Sequence, residues 1–125
     1  VNALKQRNLG LPLLIRFSDI LEDRIERINS AFSRAIARYN YPGVYKGVFP
    51  VKCNQQRHLV EDLVRFGKPH QFGLEAGSKP ELMIALANLK TKGALLICNG
   101  YKDREYIETA ILARQLGKTP IIVLE

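Results

Sequence analysis

The sequence predicts an α/β protein built on a parallel sheet, and three observations lead to that class. Five short apolar runs alternate with helical patterns along the 125 residues. The runs are continuous rather than alternating, as in strands covered on both faces, and their centres recur roughly every 22 to 34 residues, the length of a βα unit. Glycine- and proline-bearing turns such as Tyr41-Pro42-Gly43, Gly67 and Gly117 stop the helices before the next run begins.

The first run is Leu11-Pro12-Leu13-Leu14-Ile15-Arg16-Phe17. Ser18 follows in an N-cap position, with Asp19, Glu22 and Asp23 in the opening turn, where acidic groups complement the helix dipole. Leu21, Ile25, Ile28, Phe32, Ala35 and Tyr39 then recur at helical spacing and predict one buried stripe. The second run, Val48 to Val51, leads into a helix with Leu59, Val60, Leu63 and Val64 on its apolar face. The third is Gln71 to Glu75, after which Ser78-Lys79-Pro80-Glu81 has the form of a capping box with proline in the first turn. The helix it opens should bury Leu82, Met83, Leu86 and Leu89. The fourth run is Ala94 to Cys98, followed by a helix with Tyr106, Ile107, Ala110 and Ile111 inward; the fifth is Pro120 to Leu124.

Hydrophobic residues make up 46% of the chain and charged residues 25%, which supports one modest core and argues against a disordered or fibrous protein. No apolar stretch reaches the length of a membrane span, and the first residues lack the charged-then-apolar pattern of a signal peptide. The first residue is Val1, so we expect the gene product to begin upstream. Cys53 and Cys98 both fall in or beside strands, read as reduced thiols of a cytoplasmic protein. A metal site among the cysteines and histidines is not expected, since neither cysteine has a CxxC partner and His58 and His70 lie far apart. The net charge of +7 raises the question of nucleic acid, but the basic residues are evenly spread and the aromatics do not interleave with them, so no nucleic-acid role is expected.

Two architectures fit this alternation: a five-stranded doubly wound sheet, or the first part of a (β/α)8 barrel. In both, function lies just beyond the C-terminal ends of the strands. Those ends read Lys52-Cys53-Asn54, Glu75-Ala76-Gly77-Ser78, Cys98-Asn99-Gly100 and Glu125. Lys52 is the most informative of them. A lysine taken out of water at the end of a buried strand has its charged form disfavoured, and the neutral amine is the nucleophile that Schiff-base chemistry requires. The bland alternative, a strand-end lysine that snorkels to solvent, weighs about equally on these grounds.

Glu75 reads as an ordinary strand-end carboxylate unless Lys52 or a bound cation lies nearby, and Glu81 is explained by its capping box. Gly77-Ser78-Lys79 could hold a phosphate on backbone N–H groups but lacks the P-loop pattern, so capping is the stronger reading. Cys53 should point away from Lys52 and pack under a helix, Cys98 should be core, and His58 should be a surface residue.

Gly47-Val48-Phe49-Pro50-Val51-Lys52-Cys53-Asn54-Gln55, followed by Phe72-Gly73-Leu74-Glu75-Ala76-Gly77-Ser78-Lys79-Pro80-Glu81, closely resembles the biosynthetic arginine decarboxylase family. These are pyridoxal-phosphate enzymes of the alanine-racemase-like fold type. Pro12 to Leu21 and Ile97-Cys98-Asn99-Gly100-Tyr101-Lys102-Asp103 match the same family, so the resemblance covers nearly the whole chain. The V-K-C-N element is shared with ornithine and diaminopimelate decarboxylases, whereas the other two elements point more narrowly to arginine.

The resemblance implies that Lys52 is the catalytic lysine that holds pyridoxal 5'-phosphate covalently. Glu75 matches an acidic cofactor-site position on the neighbouring strand, where it would position or protonate the lysine. The implied reaction is decarboxylation of L-arginine to agmatine, feeding putrescine and spermidine synthesis. The family also uses magnesium, for which no ligand is assignable in this chain. Residues 1–18 would carry a strand of a separate β-domain, and residues 19–125 about four βα units of an incomplete barrel. The phosphate cradle, the carboxylate facing the pyridine nitrogen and the residues that complete the site across a homo-oligomer interface would lie outside this chain. The 125 residues alone are therefore expected neither to fold stably nor to decarboxylate, because a half-barrel exposes long sheet edges. Three alternatives remain: a same-fold decarboxylase for ornithine, diaminopimelate or a carboxylated polyamine, a non-catalytic pyridoxal-phosphate carrier, and a self-contained five-stranded signalling or nucleotide-binding domain.

Overall fold

The structure, a computed structural model, describes residues 2–124. A short helix α1 (Asn2–Lys5) and an irregular segment precede the long helix α2 (Ser18–Arg38). Strands and helices then alternate as β1 (Val48–Pro50), α3 (Arg57–Phe66), β2 (Gly73–Ala76), α4 (Lys79–Asn88), β3 (Leu95–Cys98), α5 (Arg104–Gln115) and β4 (Thr119–Ile122).

All four strands are parallel and lie side by side in chain order, β1-β2-β3-β4. A doubly wound sheet would reverse its strand order at a switch point and carry helices on both faces. Neither feature occurs among the described residues. The register aligns Phe49 with Leu74 and Leu96, and Ala76 with Cys98 and Ile122. That face packs against Val60 of α3, Leu82, Ala85 and Leu89 of α4, and Tyr106, Ala110 and Ala113 of α5. The opposite face carries Val48, Pro50, Glu75, Leu95, Ile97, Thr119 and Ile121, all half-buried or exposed. Helices confined to one face of an unreversed parallel sheet are the arrangement of a βα barrel, so the choice between two architectures falls to the first part of a (β/α)8 barrel. Three complete βα units and a fourth strand are present. Pro50 and Pro120 lie in β1 and β4, the two edge strands among the described residues, where a missing N–H is tolerated.

Several expectations are corrected. Leu11 to Phe17 forms no strand, and Leu11, Leu14, Ile15 and Phe17 are exposed. A ladder needs a partner, and no described strand lies beside this run; its membership of a separate β-domain therefore remains a proposal. Helix α2 begins at Ser18 with Phe17 in the cap position and no side-chain cap, while Asp19 accepts from the Ile20 N–H. Its buried residues are Ile25 and Asn29 rather than the whole predicted stripe; Ile28, Phe32 and Tyr39 are exposed, and Phe32 stacks on Tyr45. Asn29 reaches this buried position by donating to the Ile25 carbonyl. Met83 and Ile111 are exposed too, because Ala85 and Ala113 take the inward positions of α4 and α5 and let the helices lie close to the sheet.

Gly73 allows β2 and β3 to approach closely: a Cβ there would sit 2.1 Å from the Leu95 carbonyl oxygen. Backbone cannot yield as a flexible side chain can. Gly73→Ala in the complete protein should therefore lose about 2 kcal/mol or more of stability in urea unfolding, and an unchanged midpoint would show that the strands can separate freely.

Candidate functional site at the C-terminal rim of the sheet

β1 ends at Pro50, and Val51–Cys53 turn into a single 3-10 helix closed by the Asn54 N–H on the Val51 carbonyl at 3.1 Å. Val51 is fully buried in the helix-side core and pins this turn, while Lys52 and Cys53 are both exposed. Two expectations fail here for one reason. A 3-10 turn has about three residues per turn, so strand alternation no longer applies. Cys53 does not pack under a helix, and Lys52 is not part of a buried strand. What marks Lys52 is position: it is the first residue beyond the anchored Val51, on the rim where barrel sites are built. Lys79 has two carboxylate partners, whereas Lys52 has no ion-pair partner among the described residues.

Glu75 stands between Leu74 and Ala76, both fully excluded from solvent on the helix side. It therefore belongs to the open face, half-buried and in register with Pro50 on one side and Ile97 on the other. Lys52 follows two residues after Pro50, the register partner of Glu75. The structure thus brings Lys52, in the turn just after β1, and Glu75, near the end of β2, to the same rim.

The loops after β2 and β3 are tied together. The Ala76 carbonyl accepts from the Asn99 N–H at 3.0 Å and from the Tyr106 hydroxyl at 2.7 Å. Gly100 has φ +77°, and a Cβ on it would meet the Gly77 carbonyl oxygen at 2.4 Å, so the two loops touch backbone to backbone. Beside this contact the Asn99 Oδ1 is buried with no hydrogen-bond partner. Ser78 caps α4 by accepting from the Glu81 N–H, and the Glu81 carboxylate accepts from the Gly77 N–H at 2.7 Å rather than from Ser78 itself. That bond occupies one of the amides a phosphate would need, which supports capping over phosphate binding at Gly77-Ser78-Lys79.

Across the helix N-termini, Lys79 of α4 bridges Asp103 and Glu105, each at 2.7 Å. Asp103 caps α5 by accepting from the Tyr106 N–H at 2.9 Å. The Lys79 ammonium is held above its usual range by the Asp103 and then the Glu105 hydrogen bonds. Asp103 is held below the usual carboxylate range by Lys79 and then by the Tyr106 amide. Burial pushes up both the Tyr106 phenol and the Cys98 thiol, which neighbour each other in the helix-side core. Cys98 is buried as expected.

His58 is exposed in the first turn of α3. It borders a groove of about 570 Å³ with Arg16, Phe17, Ile20 and Leu21, which includes neither Lys52 nor Glu75. His70 instead pairs with Glu26 at 2.8 Å. Sequence reading missed Tyr106 as more than a core residue. The available signal was a hydroxyl among otherwise apolar inward positions of its helix, which a buried site must satisfy.

A one-sided, unreversed βα sheet with a lysine at the end of its first strand and a carboxylate on its second is the first part of a βα barrel with its candidate site on the C-terminal rim. The chain belongs to the family described as pyridoxal-dependent decarboxylase, pyridoxal binding domain, whose model matches residues 23–119, Lys52 and Glu75 included. Over its full length it is 85% identical to the biosynthetic arginine decarboxylase of Nostoc sp., covering 18% of that protein. It is 79% identical to that of Thermosynechococcus vestitus, covering 20% of it. The crystal structure of the biosynthetic arginine decarboxylase SpeA from Campylobacter jejuni superposes with a TM-score of 0.95 at 37% identity, over 99% of this chain and 21% of that one. The chain thus spans about a fifth of the length of the curated relatives it matches.

The residues present fit pyridoxal phosphate. Lys52 offers a primary amine with no ion-pair partner among the described residues, the group that an aldehyde cofactor needs for attachment, and Glu75 offers an acceptor on the same rim.

The Lys79–Asp103 contact carries a pH signature. Because the folded state depresses the Asp103 pKa, its contribution is present above the ordinary carboxylate range and lost as pH falls through the folded value. Asp103→Asn keeps a capping acceptor and removes the titration. The variant should be modestly less stable than the parent at neutral pH and equal to it in acid; a gap of constant size across that range would contradict the contact.

Proposed function

We propose that this chain supplies the lysine-bearing part of a pyridoxal-phosphate decarboxylase that converts L-arginine to agmatine and CO2. The observation that carries the reading is the exposed Lys52, without an ion-pair partner among the described residues, on the C-terminal rim of the first barrel strand and inside the segment matched by the family. The names of the relatives support arginine as the substrate.

When bound, pyridoxal phosphate supplies an electron sink for the electrons left on Cα as CO2 departs. The chain's own residues do the rest of the local work. Lys52 would hold the cofactor through its Nζ amine. Glu75, on the next strand, orients that amine and exchanges a proton with it. Val51, buried beneath the turn, holds the Lys52 backbone while the side chain moves.

The wider setting is part of the same proposal. Residues 1–18 join a separate β-domain, and the barrel is completed by further chain. The active site is finished across a homo-oligomer interface in a cytoplasmic enzyme of polyamine synthesis that also uses magnesium. No helix among the described residues is long and apolar enough to cross a membrane. No cluster of three or more metal-ligating side chains occurs among them, so magnesium ligands are not assigned.

Borohydride reduction of the complete protein with pyridoxal phosphate, followed by peptide mass mapping, should place a phosphopyridoxyl group on Lys52. Label on another lysine would overturn the assignment. Lys52→Ala should lower kcat by a factor on the order of a thousand or more. Turnover of arginine should exceed that of ornithine, diaminopimelate or lysine. Preference for ornithine or diaminopimelate would replace the substrate, and labelled Lys52 without CO2 from any amino acid would mark a carrier.

A further inference from the structure

Tyr106 is fully buried, yet its position in α5 lies within an apolar cluster that a phenylalanine would fill equally well. A hydroxyl taken out of water is disfavoured unless it finds a partner. Its partner is the carbonyl of Ala76, 2.7 Å away. That carbonyl is not otherwise idle, because it already accepts the Asn99 N–H at 3.0 Å in the β2–β3 pairing. The phenol therefore adds a second bond to a group that the sheet has satisfied.

The location of that bond gives it a use. Ala76 is the last residue of β2, directly after Glu75, and Gly77 begins the rim loop. Gly77 is steadied by the Glu81 carboxylate on its N–H and by the touching Gly100. The Tyr106 ring is placed in turn by Asp103, which caps the helix start at the Tyr106 N–H. The hydroxyl thus clamps from the core side the Ala76–Gly77 peptide, one step beyond Glu75, whose side chain stands on the opposite face.

We propose that Tyr106 is a positioning residue for Glu75: its bond to the Ala76 carbonyl sets the orientation of the β2 end and so the aim of the Glu75 carboxylate along the rim toward Lys52. The proposal rests on the reading of Lys52 as the cofactor lysine and of Glu75 as its neighbour. It extends that reading from the open face of the sheet to a residue in the helix-side core.

The test uses the complete holoenzyme with Tyr106→Phe, which retains the ring and leaves the Ala76 carbonyl bonded to Asn99. Leu89→Val serves as control, since Leu89 is buried at the far end of α4. Three quantities are read: the urea midpoint, the pH midpoint of the visible absorption band of the bound cofactor, and kcat with KM. Tyr106→Phe should displace the pH midpoint of the band and lower kcat about five- to tenfold with KM little changed. It should displace the midpoint in the same direction as Glu75→Gln does, and the double variant should add no further displacement. Leu89→Val should lower the urea midpoint and leave the band and kcat in place.

A Tyr106→Phe variant that loses stability but keeps the parental band and kcat would overturn the proposal and leave Tyr106 a structural tie. Additive displacements in the double variant would also overturn it. Failure of the underlying reading looks different: borohydride would leave Lys52 unlabelled in the parent protein, before any Tyr106 variant is made.

Discussion

Leu74 and Ala76 are both excluded from solvent beneath the helices, and strand geometry then leaves Glu75 only the opposite face. The rest of the site depends on this constraint. β2 is held between β1 and β3 with a register that a one-residue slip would invert, carrying Leu74 and Ala76 out of the core and Glu75 into it. Burying two apolar side chains and excluding one carboxylate both oppose such a slip. The carboxylate's placement beside the lysine strand is thus a by-product of core formation, and needs no separate stabilisation.

The rim is built on the same logic of fixed bases and short reach. Val51 is anchored in the core and Lys52 is the next residue; Ala76 is anchored and Glu75 is the residue before it. Each chemically useful group sits one step from a buried neighbour, so the backbone is determined while the side chain remains accessible. The loops are then bound to one another rather than left independent. Ala76 receives both Asn99 and Tyr106, Gly77 touches Gly100, and Lys79 joins the starts of α4 and α5. The exposed ion pairs contribute little to stability individually, but they link helices whose N-termini frame the rim.

Much of this could be read from the residues alone. The βα alternation followed from the spacing of apolar runs, and the Ser78–Glu81 cap from four residues whose chemistry is local. The rim itself was legible because βα proteins place function at strand ends. What sequence could not supply was anything decided by tertiary context. Lys52 looked like strand because Val48 to Val51 is apolar, but Pro50 lies near the end and the chain turns immediately after it. The α2 stripe is narrower than its spacing suggests because Ile28 and Tyr39 have no described surface to cover them and Phe32, though stacked on Tyr45, stays exposed. The first run has the apolar character of a strand, yet a strand exists only with a partner. The part played by Tyr106 depended on a carbonyl thirty positions earlier in the chain, a contact no local pattern encodes. The identity of the cofactor came from motif resemblance, not from periodicity.

The central claim is that the helix-side core dictates which β2 residue faces the site. It is tested most directly by placing single cysteines at Leu74, Glu75 and Ala76 in a complete protein whose native cysteines are replaced, and measuring reaction with a small charged thiol reagent with and without pyridoxal phosphate. The account predicts that Glu75→Cys reacts and is protected by the cofactor, while Leu74→Cys and Ala76→Cys stay unreactive until the protein unfolds. Reaction of the two flanking positions with Glu75→Cys inert would contradict it, because the strand would then present its other face to the site.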